Sequence, residues 1–324
     1  MARSKSWWNK PRLPTELSGM STSKWLFKSG ELSHGNLDVD FSGEYPPLQP
    51  WMRSGIKVGN ASSGINIAAD SSERILLIAQ GDSVTVTYQL FEGATGKETL
   101  IGRASVFDGP ADVLYLPKGT VINILGEARV IIGEAIAENY KPVQLMRKSD
   151  VPVFIRGAGR ESRQIHNFCM PDTMDADRLI CVEGIVPAGN WSGVPAHKHD
   201  CYIPGVESHL EEIYYFEAAP TKGSKPAINN LPFGYFRGYA SDHRPFHLDS
   251  AVHHQDIVAI PHGYHGPVAA APPYDLYFFN VMAGSDPVRE WLVKDDPCHA
   301  WVRDTWETQE TDPRLPYLAV QNEK

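Results

Sequence analysis

Three histidines and a carboxylate carry the most chemistry in this chain. They are His197 and His199 in Ala-His197-Lys-His199-Asp, Glu212 in Leu-Glu-Glu212-Ile-Tyr-Tyr-Phe, and His265 in Pro261-His262-Gly263-Tyr264-His265. Side chains two apart in an extended strand share a face, so His197 and His199 point together and Lys198 points away. Glu212 opens a β-rich run that can lie beside them, and a Pro-x-Gly turn then delivers His265. The set reads as three imidazoles and one carboxylate around one divalent metal ion inside a small β-barrel. Mixed nitrogen and oxygen ligands without thiolate suit Zn, Mn, Fe, Co or Ni. The competing reading, histidines satisfied by hydrogen bonds on strand faces, does not explain why three should face inward together.

Strands must position these residues. Arg74–Tyr88 reads as two β-runs broken at Gly81-Asp82, and Ser105-Val-Phe107, Val113–Leu116 and Ala128–Ile132 follow between Gly, Pro and Asp punctuation. After residue 143 the style repeats, with runs starting at Arg178, Glu212, Phe233, Asp256 and Leu276. Many short strands with regular turn signals indicate an all-β sandwich or barrel. Val113-Leu-Tyr-Leu-Pro117-Lys-Gly119-Thr-Val121 matches Ile257-Val-Ala-Ile-Pro261-His-Gly263-Tyr-His265 in pattern, with Val121 where the second copy has His265. Of the 12 histidines, His34 alone lies in the first half. Two duplicated barrels, only the second holding a metal, would produce this asymmetry. The expected units are 20–142, without metal ligands, and 143–310, with them.

Composition narrows the partners. A formal charge of -9 and the lack of any long basic run exclude nucleic-acid binding. No stretch approaches the ~20 apolar residues that span a membrane. The basic opening Met1–Pro11 has no apolar core and does not read as a signal peptide. Four cysteines (Cys169, Cys181, Cys201, Cys298) without a Cys-x-x-Cys pair suit free thiols in a reducing, cytoplasmic setting. A homo-oligomer is compatible with all of this.

Several stretches are similar to a known family. Arg156-Gly-Ala-Gly-Arg-Glu-Ser-Arg163-Gln, Pro187-Ala-Gly-Asn-Trp191-Ser, His197-Lys-His199-Asp, Leu210-Glu-Glu212-Ile-Tyr-Tyr215, His262-Gly-Tyr264-His265 and Asn280-Val-Met-Ala-Gly284 resemble the 5-deoxy-glucuronate isomerases of bacterial inositol catabolism, across residues 70–303. The resemblance implies a bicupin, two tandem β-barrel or jelly-roll cupin domains. It implies the same ligands, His197, His199, Glu212 and His265, and conversion of 5-deoxy-D-glucuronate to 5-dehydro-2-deoxy-D-gluconate. This chain departs from the family's pattern at Phe216 (usually His), Phe236 (usually Gln) and His166 (usually Asn), and in a longer loop from Thr221 to Pro232.

Ketol isomerisation passes a proton between adjacent carbons through an enediol, and a chelated divalent cation stabilises the charge that develops on oxygen. Glu212 is a candidate base if weakly ligated, and Tyr214, on the same strand face, is the alternative acid or base. A sugar acid also needs a cation. On alternate positions of Phe233–Tyr239, Arg237 is expected to grip the carboxylate, with Tyr239, Tyr264 and Asn280 lining the cavity; a surface arginine covering its strand neighbours is the competing reading. Trp191 and Trp291 read as core. Two other functions fit the ligand set, a cupin dioxygenase and a non-catalytic sugar-binding bicupin. Oxygen uptake separates the first from an isomerase, and binding without turnover separates the second.

Overall fold

A computed structural model describes residues 24–42, 53–226, 229–241 and 244–318. The opening segment and part of the 221–232 loop lie outside the described residues.

The chain is all-β, as the turn spacing requires. A 9-stranded sheet runs in the order Gln144–Met146, Val113–Leu116, Ser72–Gln89, Ala128–Ile136, Ser54–Asn60 and Leu37–Phe41, with Ile65–Ile67, Thr95–Arg103 and Val121–Leu125 attached. One long strand, Ser72–Gln89, stands where the sequence predicts two β-runs. The break at Gly81 is a register shift between Ile78 and Gln80 with a positive φ of 126° at Gly81, which bends the strand without ending it. Ser105–Phe107 is a turn, with Ser105 Oγ donating to Asp108 Oδ2 at 2.7 Å.

Two sheets build the second half. One runs Leu26–Phe27, Ile257–Ile260, Glu211–Pro220, Tyr274–Ala283, Ile180–Val186, Arg163–Cys169 and Val153–Arg156. The other runs Arg244–His253, Phe233–Ser241, Tyr264–Ala270, His197–Lys198 and Lys294–Asp295, with Trp191–Ser192 attached. The expected boundary puts Leu26–Phe27 in the first unit; that strand pairs instead with Ile257–Val258 of the second-half sheet.

Ile75, Leu77, Tyr115 and Ile131 from one face of the 9-stranded sheet share a core with Cys181, Tyr215, Phe279 and Val281 from the 7-stranded sheet. A Cβ on Gly133 would sit 2.9 Å from Cys181 Sγ, so glycine there lets the two sheets approach. Carboxylates stitch the contact. Glu73 accepts from the backbone N–H groups of Asp177, Arg178 and Leu179, and Glu211 from those of Arg53 and Ser54. Arg103 forms a bidentate pair with Glu183 at 2.6 and 2.7 Å, and Glu183 also meets His166 Nδ1 and the Tyr277 hydroxyl. His166 is thereby committed to the interior of this contact.

Candidate metal centre and cavity

The site forms between the two second-half sheets. His197 and His265 are directly paired residues on neighbouring strands, so both project to the same side. Beside His265 the strand register shifts across Gly266-Pro267 relative to Phe233–Ser241, a bulge that aims His265 inward. His199 follows at the end of the short His197–Lys198 strand. From the opposite sheet come Glu212, Tyr214 and Asn280, the last two being direct cross-strand partners. Lys198 points away, as parity demands, into a buried ion-pair cluster with Asp200 and Glu207, both at 2.7 Å.

The donor atoms converge. Ligand nitrogens of His197, His199 and His265 lie within 4.8 Å of one another. Glu212 Oε2 lies 3.0 Å from both His199 Nε2 and His265 Nε2. Each Nδ1 faces a backbone carbonyl: Pro195 for His197 (3.4 Å), Leu210 for His199 (3.0 Å) and Gly263 for His265 (3.3 Å). Carbonyls at Nδ1 fix the tautomer that leaves Nε2 free to ligate.

These residues fit a cation. His265 Nε2 is buried 3.0 Å from the Glu212 oxygen, yet not aligned for a hydrogen bond with it. His199 faces an oxygen acceptor at both nitrogens, so Nε2 must carry a second proton or share its lone pair with a positive ion. Burial opposes the charge on Glu212, but the two imidazoles overcome it and hold the carboxyl down to about 2. Burial and the neighbouring imidazoles push His197 well below the ordinary histidine range, which keeps it neutral. An anionic carboxylate and a neutral imidazole are the forms that bind metal.

Glu212 is spoken for at both oxygens, since Asn280 Nδ2 donates to Oε1. Its low pKa and its partners suit a ligand, not a proton acceptor from carbon. Tyr214 is buried, and burial together with the Glu212 charge drives its pKa well up, so the phenol stays protonated. It is a donor facing the site.

A cavity of about 380 Å³ opens against His197, Glu212, Tyr214 and Asn280. Arg237, Tyr239 and Tyr264 do not line it. In Phe233–Ser241 the residues that face the core are Gly234, Phe236 and Gly238, so the expected parity is reversed. Arg237 is exposed, stacks on the Tyr239 ring at 4.5 Å and lies 3.7 Å from Asp249. Tyr239 donates to Asp296 and stacks on Tyr264, with ring centroids 5.5 Å apart. Trp191 is 45% exposed and not core. Trp291 lines the cavity with its Nε1–H buried and unpaired. Three arginines without an expected role, Arg156, Arg163 and Arg303, reach the cavity. The glycine-spaced Arg156-Gly-Ala-Gly-Arg-Glu-Ser-Arg163 run is the signal that could have found the first two.

Known proteins share this architecture. The KduI/IolB family model matches residues 27–302. The chain belongs to the KduI/IolB family. It is 38% identical over 206 residues to the 5-deoxy-glucuronate isomerase of Geobacillus thermodenitrificans (63% of this chain, 70% of the relative). It is 35% identical over 252 residues to that of Lacticaseibacillus casei (76% and 85%). An IolB-like protein from Salmonella typhimurium superposes with a TM-score of 0.73 at 31% identity, covering 86% of this chain and 98% of that one. The oxalate decarboxylase of Lactobacillus farciminis superposes with a TM-score of 0.56 at 9% identity, covering 85% and 89%, a likeness of fold alone. This family member is a bicupin, as the resemblance implied. Among the described residues no helix is long and apolar enough to cross a membrane.

Proposed function

We propose that this KduI/IolB family member is a metal-dependent ketol isomerase of a uronic acid, with 5-deoxy-glucuronate as substrate, the compound in its relatives' name. The observation that carries the reading is the convergence of three imidazoles and Glu212 on the wall of one cavity. His197, His199, Glu212 and His265 would hold one divalent ion. Such an ion supplies positive charge beside the substrate's adjacent oxygens as negative charge develops there.

The remaining steps belong to this chain's residues. Asn280 fixes the Glu212 carboxylate so that Oε2 stays turned toward the imidazoles. Tyr214, protonated and buried beside Glu212, donates a hydrogen bond to a substrate oxygen as the carbonyl migrates. Phe216, Phe236 and Phe278 pack around the Tyr214 ring at centroid distances of 5.7, 5.4 and 5.4 Å and exclude water from it. Four free cysteines accord with a cytoplasmic setting.

The test is a proton-NMR assay of metal-loaded protein with 5-deoxy-glucuronate, run beside an oxygen electrode. The aldehyde signal should give way to a ketose without oxygen consumption. Oxygen uptake would make the protein a dioxygenase, and binding of uronates without turnover would make it a sugar-binding protein.

A further inference from the structure

The cavity has a second end with its own chemistry. Arg163 begins a strand three places from the Glu212 strand in the 7-stranded sheet. At ~4.8 Å per strand that is a lateral offset of roughly 14 Å before side chains lean inward. Tyr214, two residues from Glu212 on the same strand, feels the charges of both Glu212 and Arg163.

Arg163 is a half-buried cation short of partners. Its Nη1 donates to the Glu161 carbonyl at 3.1 Å, and its guanidinium lies 5.5 Å from the Trp306 ring centre. Its Nε is buried with no hydrogen-bond partner. Among the described residues neither Arg163 nor Arg156 has an ion pair, and Arg303 is paired with Asp295. The neighbouring acid, Glu161, accepts from the Trp306 indole. Burial first, then repulsion from Arg303 and Arg156, lowers the Arg163 pKa to about 10. A buried donor left without a partner is costly. Two more buried polar atoms without partners, Asn167 Oδ1 and Trp291 Nε1, belong to residues lining the same cavity. A donor set of guanidinium and indole N–H groups with one amide acceptor matches a carboxylate flanked by hydroxyls.

We propose that Arg163, supported by Arg156 and Arg303, seats the carboxylate of the sugar acid at the end of the cavity remote from the imidazole cluster. The proposal rests on the isomerase reading for its substrate, and it replaces Arg237 as the expected grip. The aldehyde end then meets the imidazole cluster while the carboxylate sets the register of the chain. Gly157 makes room for the grip. Its φ is +70°, and a Cβ there would lie 2.6 Å from Arg163 Nη1 and 2.3 Å from the Glu161 carbonyl.

The experiment compares wild type, Arg163→Gln and Arg163→Lys on 5-deoxy-glucuronate and on the neutral sugar in which the carboxylate is a hydroxymethyl group. Arg163→Gln should lose ~10- to 100-fold in kcat/KM toward the acid, the size of a charge-assisted contact. It should change little toward the neutral sugar and keep its metal. Arg163→Lys should recover part of the loss by retaining charge without the planar fork. An equal loss on both substrates, or none on the acid, overturns the assignment. Affinity for D-gluconate, which has no aldehyde to isomerise, is measured in parallel. A weaker Kd in Arg163→Gln supports the seat even if wild type turns over no uronate; an unchanged Kd removes the seat even if turnover stands.

Discussion

After its Pro-x-Gly turn, the 9-stranded unit sends out Val121–Leu125, which turns Ile122 and Ile124 inward among Leu76, Val86 and Leu114. After the matching turn, the other unit sends out Tyr264–Ala270, which turns His265 inward against His197 and Glu212. The two turns share a left-handed glycine, φ 75° at Gly119 and 93° at Gly263. The strands that leave them differ by one residue of parity: Val121 is 46% exposed, while His265 is 1% exposed. A slip of one residue exchanges the faces of a strand. The pattern match between Val121 and His265 therefore holds in sequence but not in orientation. The first interior closes on aliphatic side chains. The second keeps polar groups inside because each has a partner: carbonyls for the Nδ1 atoms, Asn280 for Glu212, and a cation for the Nε2 atoms in the proposed account. We propose that function resides in the second unit and that the first serves as its scaffold.

The sharpest way to break this contrast is His265→Ala. It should abolish isomerisation and leave the fold intact, because the first core and the sheet contact do not use His265. Turnover and circular dichroism check both halves of that statement.

Next in size is the joint between the units. Glu183→Gln leaves Arg103 as an unpaired buried charge, and breaking such a pair typically costs about 3–5 kcal/mol. The pH dependence has a definite sign. Burial would raise the Glu183 pKa, but Arg103 and His166 hold it far below the ordinary value. A depressed folded-state pKa adds stability that is complete above the unfolded value of about 4.3 and drains away as pH falls below it. Wild type should therefore lose denaturant resistance steeply below about pH 4. Glu183→Gln should start lower at neutral pH and fall less steeply. Parallel curves would remove Glu183 from the joint.

Ile124→Ala makes a cavity in the closed first interior and should cost about 2–5 kcal/mol. Thermal melts would show the loss, while metal content and KM of the folded protein stay at wild-type values. A changed KM would mean that the first unit shapes the site directly.

The imidazole cluster is legible in the sequence because period-two spacing and the turn before His265 are local signals. Arg237 misleads because Tyr235-Phe236-Arg237-Gly238 alternates two plausible faces. The small residues mark the inward one: a Cβ on Gly234 would strike Leu276 and one on Gly238 would strike Phe246. Trp291 and Arg303 reach the cavity from the late chain, far in sequence from Arg163, and no local period links them. Arg103 and Glu183 carry no local signal of burial; they are buried because two sheets meet over them. Arg237→Ala carries the smallest expected effect. Its exposed side chain should move stability by no more than about 0.5 kcal/mol, with kcat/KM nearly unchanged in the NMR assay. A tenfold loss would return Arg237 to the site.

Elemental analysis of the purified chain beside His197→Ala/His199→Ala tests the central claim most directly. Wild type should carry one divalent ion per chain, and the double variant none while remaining folded. A double variant that keeps its full complement would contradict the account.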